Sequence, residues 1–190
     1  MLDLTVQSAE TAPEAARETL DSVGAAYGFV PNLFGILANA PAAVEGYAAL
    51  SKIFGKSSFS PAEQQTVLLT ASRVNGCTYC MAAHTGVAKM SKVPDAVIDA
   101  LRDGGPITSD AKLEALRVFT LAVVEKRGWL DQADVDAFLA AGFAREQVLD
   151  VVLGVTLKTL SNYTNHVTDT PLDERFQGFA WSKQEPVAVG

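Results

Sequence analysis

The sequence predicts an all-α, single-domain protein, and three observations carry that reading. Apolar residues recur at helical spacing along most of the chain. Proline, glycine and capping residues punctuate it at intervals of one helix length. No stretch alternates apolar and polar residues as a half-buried strand does. No linker or low-complexity tract divides the chain, so residues 1–190 read as one domain, with its core over residues 20–175 and a C-terminal tail over 176–190.

The elements follow in order. Pro13 to Tyr27 reads as a first helix, with Thr11 as its cap, and Gly28 to Asn32 breaks it. Asn32 can cap a short helix running to Asn39. Pro41 suits the first turn of the next helix, which runs to Phe54. Ser60-Pro61-Ala62-Glu63 combines a capping serine, a first-turn proline and a glutamate three residues after the cap, so a helix should run from Pro61 to Val74. Asn75-Gly76 stops it, and Cys77 opens another helix that continues to Met90. Pro94 to Asp103 is short and ends at Gly104-Gly105-Pro106. Thr108, Ser109 or Asp110 can cap a helix that ends by Arg127, and Asp131 to Ala141 forms the next. Ala144 to Val167 is the longest apolar-periodic segment; a glycine inside it, Gly154, costs about 1 kcal/mol relative to alanine and so points to a close helix contact. After Pro171 the chain becomes irregular, and 184–190 reads as a loose tail. Glu63-Gln64 and Glu146-Gln147 each open an apolar run that ends near a histidine, an echo that suggests a duplicated two-helix unit.

Bulk properties bound the function. A net charge of −7 argues against nucleic acid and anionic membranes as partners. Apolar residues make up 48% of the chain, which hints at surface buried between subunits. No apolar run is long enough to span a membrane and no secretory signal is visible, so a cytoplasmic location is expected. In that compartment two thiols three residues apart point to redox or metal chemistry rather than a structural disulfide.

The two cysteines of the chain stand together in Cys77-Thr78-Tyr79-Cys80, and His84, one of two histidines, follows. On a helix these three fall within roughly 60° of one another, so one face holds two thiols and a base. A thiolate is the reactive form of cysteine, and free N–H groups at a helix start together with a nearby imidazole favour it. The expected chemistry has His84 deprotonating Cys80, Cys80 attacking a hydroperoxide or a partner's disulfide, and Cys77 resolving the product as an intramolecular disulfide. Two other readings stand beside it. The thiols and imidazole could be buried packing, or they could hold zinc with His166 or Glu63 completing four ligands in a structural, partner-binding protein.

Around Asn75-Gly76-Cys77-Thr78-Tyr79-Cys80-Met81-Ala82-Ala83-His84-Thr85 the chain resembles the carboxymuconolactone decarboxylase superfamily, within it the alkyl hydroperoxidase D (AhpD)-like branch. Ser60 to Gln65, Gly28 to Phe34, Ala38 to Pro41 and Thr159 to His166 extend the similarity. The resemblance implies an AhpD-like helical bundle, a homo-oligomer (trimer or hexamer) and antioxidant activity without a bound cofactor or metal. It matches Cys80 to the peroxide-attacking cysteine, Cys77 to the resolving one and His84 to the relay histidine. It implies a hydroperoxide as substrate and an external dithiol, of lipoyl or thioredoxin type, as reductant. A non-redox decarboxylase or lactone enzyme is the alternative within the superfamily. The branch has a relay glutamate where this chain has Gln65, and a histidine where it has Tyr79. Glu63 lies near Gln65 but about 200° away around the helix. Glu63, Gln65, Tyr79 and His166 are therefore the candidates for relay or site-lining roles. Arg73 and Lys158 read as solvated, able to steer an anion if they face the site.

Overall fold

The computed structural model describes residues 2–183, and every described element is helical. The helices are α1 (Glu14–Tyr27), α2 (Asn32–Leu37), α3 (Pro41–Phe54), α4 (Pro61–Val74), α5 (Thr78–Met90), α6 (Asp95–Asp103), α7 (Ala111–Glu125), α8 (Gln132–Ala140) and α9 (Gln147–Thr168). A 3-10 turn, Glu174–Phe179, follows. The expected tail segment 184–190 lies outside the described residues.

Helix α4 is the hub, packed against α5, α6, α7 and α9. Its start is fixed by the expected capping box: Ser60 N–H donates to Glu63 Oε2 at 2.8 Å, and Ser60 Oγ accepts from Glu63 N–H. From Gln65 to Ser72 every residue is buried, so the helix has no solvent face along that length. Of the three capping candidates for α7, Asp110 serves, accepting from Lys112 N–H and Leu113 N–H. Thr11 does not cap α1; its hydroxyl accepts from Ser8 N–H, and Pro13 precedes the helix. The start of α2 is capped from a distance: Asp173 Oδ1 accepts from Asn32 N–H at 3.0 Å.

Two apolar clusters flank α5. The larger joins α1–α4 with α7–α9 and includes Phe54, Phe119, Phe138, Cys77 and Cys80. Within it Phe138 stacks on Phe119 and on Phe143, with ring centroids 4.2 and 4.4 Å apart. The smaller holds Leu69, Met81, Val97, Ile98, Leu101 and Ile107 beneath α6. The segment after Pro171 is irregular but not loose: Phe176 is buried, and Trp181 Nε1 donates to Arg102 O. The suggested duplication fails. The unit α4–α5 is broken at Asn75-Gly76, whereas α9 runs unbroken over 22 residues. No described helix is long and apolar enough to cross a membrane.

Gly154 is where α9 meets α3 and α4. A Cβ built there would lie 2.7 Å from Phe54 Cε2 and 2.7 Å from Val67 Cγ1. Neither neighbour is the end of a flexible chain, so overpacking outweighs any gain in helix propensity. The variant Gly154→Val is expected to lower unfolding free energy by about 2–3 kcal/mol. Denaturant midpoints at unchanged m-value measure this; an unaltered midpoint would show the contact to be loose.

Candidate active site

The turn between α4 and α5 sets the site. Asn75 ends α4, Gly76 follows with φ +70°, and the chain reverses so that Cys77 becomes the residue capping α5. Cys77 N–H donates to Ser72 O at 2.9 Å, which locks the turn. Helical geometry then carries Cys80 and His84 onto the side of α5 that faces α9. Both cysteines are free thiols, each only 1% exposed, and His84 is half-buried.

Helix α9 supplies the other wall. Lys158, Ser161, Asn162 and Asn165 form a polar stripe on its inward face, and all four are buried. Asn165 Nδ2 donates to both sulfurs, at 3.5 Å to Cys77 and 3.3 Å to Cys80. Its Oδ1 has no partner among the described residues. Ser161 Oγ lies 3.7 Å from Cys80 Sγ. Asn162 Oδ1 accepts from Asn75 Nδ2 at 2.9 Å, tying α9 to the turn before Cys77. Lys158 is fully buried, and its Nζ lies 2.9 Å from His84 Nε2. On its other side His84 Nδ1 lies 3.1 Å from Gln65 Oε1.

These contacts fix the protonation pattern. The Gln65 oxygen accepts, so Nδ1 carries the proton; Nε2 is left to accept from the Lys158 ammonium. Burial, and then the Lys158 charge, hold His84 well below its ordinary range, so it is a neutral imidazole. Burial resists ionisation of Cys80. The hydrogen bond from the Cys77 thiol, the charge of Lys158 and the side chains of Ser161 and Lys158 overcome it and hold Cys80 well below the usual thiol range. Cys77 is pushed far up, first by donating its hydrogen to Cys80, then by burial and the Cys80 charge. The pair thus has one thiolate, Cys80, and one thiol, Cys77. Tyr47 is buried in the same cluster as the two cysteines; burial, the Cys80 charge and Tyr27 keep its phenol protonated.

Several expectations need correction. His84 is not placed as the direct base of Cys80: both of its ring nitrogens are engaged elsewhere, Nε2 with Lys158 Nζ and Nδ1 with Gln65 Oε1. Lys158 is not solvated. Arg73 is spent on the end of α6, its Nε donating to Arg102 O. Glu63 keeps to its capping box and pairs with Lys112 at 2.9 Å, away from the imidazole. Tyr79 points away from the sulfurs: its hydroxyl donates to Asp173 and accepts from Leu33 N–H. His166 is exposed beside Tyr163, because at about 100° per residue it lies roughly 100° from the centre of the buried stripe of α9. The ligand set imagined for zinc is therefore not assembled, and among the described residues no three His, Cys, Asp or Glu side chains are grouped to hold a metal. Sequence reasoning missed Tyr47, Ser161 and Asn165 as well. The readable signal was the polar stripe at i, i+3, i+4 and i+7 inside an apolar helix.

Two titrations check this electrostatic pattern. The ultraviolet absorbance of thiolate in the reduced protein should persist well below pH 9.0, the ordinary thiol value. Cys80→Ser should abolish that absorbance, and Cys77→Ser should move its loss to higher pH. Persistence in Cys80→Ser would place the thiolate elsewhere. His84 gives the second. Its folded-state value lies below its ordinary 6.5, so the unfolded chain takes up a proton that the folded one refuses. That contribution is complete above pH 6.5 and is lost as pH falls from 6.5 through the folded value. Stability should therefore drop on acidification in this window, and the drop should be smaller in His84→Gln.

Residues 38–121 match the carboxymuconolactone decarboxylase family, a span that contains Cys77, Cys80 and His84 but not α9. No curated protein matches the chain. Among solved structures it is similar to an uncharacterised peroxidase-related protein with an alkylhydroperoxidase AhpD core from Ralstonia eutropha JMP134. The two are 22% identical with a TM-score of 0.81, covering 96% of this chain and 97% of that one. A peroxidase-related protein from Silicibacter sp. TM1040 is 20% identical, TM-score 0.77, covering 93% of each chain. The debrominase Bmp8, solved with 2,3,4-tribromopyrrole, is 15% identical, TM-score 0.76, covering 94% of this chain and 96% of its own. At these identities the likeness is one of fold. The family match thus covers less than half of the chain, and the solved structures show that nearly the whole of it adopts an AhpD-like fold.

Proposed function

We propose that the protein is a thiol-dependent peroxidase that reduces small hydroperoxides with the Cys77–Cys80 pair. One observation carries the reading: two free thiols one helical turn apart share a buried polar cluster, where Asn165 Nδ2 donates to both sulfurs, Ser161 Oγ lies 3.7 Å from Cys80, and a buried lysine and imidazole stand on the same face. A packing role needs no such polar surroundings, whereas a thiol peroxidase needs one sulfur favoured as thiolate and a second close enough to resolve it.

The Cys80 thiolate attacks the distal oxygen of the hydroperoxide. The S–O bond forms, the O–O bond breaks, and the leaving oxygen takes a proton to become water or an alcohol. Cys80 is now a sulfenic acid. Cys77 loses its proton and attacks that sulfur; hydroxide leaves and is protonated to water, and the pair is a disulfide. An external dithiol of lipoyl or thioredoxin type supplies two electrons and two protons for the return. His84 is a positioning residue: held by Gln65, it presents an acceptor to Lys158 and keeps the ammonium beside Cys80. A glutamine there cannot take a proton as the relay glutamate of the AhpD-like branch does.

Burial narrows the substrate. With each sulfur 1% exposed, small peroxides fit the reading better than bulky lipid peroxides. An open groove of about 1080 Å³ between α7 and α9, which neither cysteine lines, is bordered by residues such as Val152, Tyr163 and Val167. That apolar face of α9 suits the homo-oligomer the resemblance implies. Debromination, the activity named for Bmp8, has only the shared fold in its favour.

Thiol counting tests the proposal. One equivalent of hydrogen peroxide should remove both thiols and leave an intrachain disulfide, with the mass lower by two hydrogens. Cys77→Ser should stop at a sulfenic acid that dimedone traps, and Cys80→Ser should retain its thiol. Dihydrolipoyl and thioredoxin-type dithiols should restore the thiols of the wild-type protein. Two unreacted thiols after peroxide would refute the reading.

A further inference from the structure

We propose that Lys158 is the catalytic acid of peroxide reduction, giving the leaving oxygen its proton. The inference rests on the peroxidase reading above and deepens it.

Lys158 is fully buried on the inner face of α9. None of the ion pairs among the described residues includes it. Its Nζ lies 2.9 Å from His84 Nε2, and further along the same inward face of α9 Ser161 Oγ and Asn165 Nδ2 lie 3.7 and 3.3 Å from Cys80 Sγ, so lysine and reactive sulfur share one buried cluster. Its ammonium is thus balanced by one thiolate. Attack on peroxide consumes that negative charge and creates another on the departing oxygen. A departing hydroxide or alkoxide is a far stronger base than an amine, so transfer of a proton from the ammonium to that oxygen is downhill and leaves neither charge buried.

The neighbours offer no rival. His84 carries its proton on Nδ1, committed to Gln65, and has none on Nε2 to give. Ser161 is an alcohol, a far weaker acid than an ammonium. The phenol of Tyr47 is held protonated by burial. An amide such as Asn165 is no acid at all. Lys158 has three protons and lies on the buried face of α9 that meets the attacked sulfur.

The steps balance. Cys80–S⁻, ROOH and Lys158–NH₃⁺ give Cys80–SOH, ROH and Lys158–NH₂. The amine next takes the proton of Cys77 and returns it to the hydroxide expelled as the disulfide forms. The oxidised site then holds a disulfide and a neutral lysine, with no buried charge. Reduction by a dithiol puts one of its protons on Cys77 and the other on Lys158.

Single-turnover rates with two oxidants test the assignment. Hydrogen peroxide expels hydroxide, which needs an acid; peracetic acid expels acetate, which does not. In Lys158→Arg the charge remains but the proton cannot be given. Its thiolate absorbance should persist, its rate with hydrogen peroxide should fall about 100-fold or more, and its rate with peracetic acid should stay within a few-fold of wild type. Lys158→Met covers the case in which arginine does not fit. It loses thiolate for both oxidants alike, so the ratio of the two rates reports the acid alone and should shift in the same direction by a similar factor. Equal falls with both oxidants in both variants would overturn the assignment and leave Lys158 as a counter-charge. Wild-type protein inert to both oxidants would instead bring down the peroxidase reading, and this inference with it.

Discussion

A lysine with no exposed surface faces a thiolate with almost none, and the rest of the site follows from keeping those two charges together. An ammonium left unpaired in such a place costs several kcal/mol, and a buried thiolate costs as much. Each makes the other tolerable. The surrounding groups are spent on the same balance. Asn165 and the Cys77 thiol donate toward Cys80. Neutral His84 accepts from Lys158 without adding a second positive charge, and Gln65 holds it in the tautomer that can accept. A glutamate in place of Gln65 would add a negative charge beside the imidazole and draw a proton onto it. The glutamine and the lysine thus belong to one design, in which the cation sits on α9 rather than on the histidine.

The scaffold serves that geometry by joining rigid parts at short turns. Gly76 gives the reversal that brings Cys77 to the start of α5, and Asn75 bonds Asn162 so that the reversal is registered against α9. The same long helix then presents Lys158, Ser161 and Asn165 along one face. Its height above the sulfurs is set by Gly154, where the absence of a side chain lets Phe54 and Val67 approach. On the far side of α5, Tyr79 and Asp173 bind the start of α2 to the segment after α9. The cysteine helix is therefore clamped on both sides by hydrogen bonds between residues distant in sequence.

Local signals were legible and long-range ones were not. Helices α3 and α4 begin and end where proline, the capping box and the glycine turn place them, because those devices act within a few residues. The cysteines and His84 share a face for the same reason. Lys158 shows the limit. A lone lysine in a helix reads as a solvated side chain, since lysine is almost never fully buried without a partner. Its partner lies in another helix, and nothing near Lys158 in the sequence announces it. The polar spacing of Lys158, Ser161 and Asn165 inside an apolar helix was the clue, but it says only that a polar stripe is buried, not what it faces. His166 misled for the opposite reason: residues four apart share a side of the helix, yet the edge of a buried stripe is already at the surface.

Burial and reactivity are opposed in most cysteine chemistry, because removing a thiol from water raises the cost of ionising it. Here the opposition is resolved by coupling. Cys77 can be a poor acid because Cys80 is a strong one, and the hydrogen between them stabilises one charge on the pair rather than two. The second sulfur is thus already in place for disulfide formation while it is still helping to ionise the first. A site of this kind needs no large movement between its reduced and oxidised forms if the positive charge can leave together with the negative one. Lysine, unlike arginine, can do that by giving up a proton, and this is the physical reason why an amine rather than a guanidinium suits the one buried cation of the site.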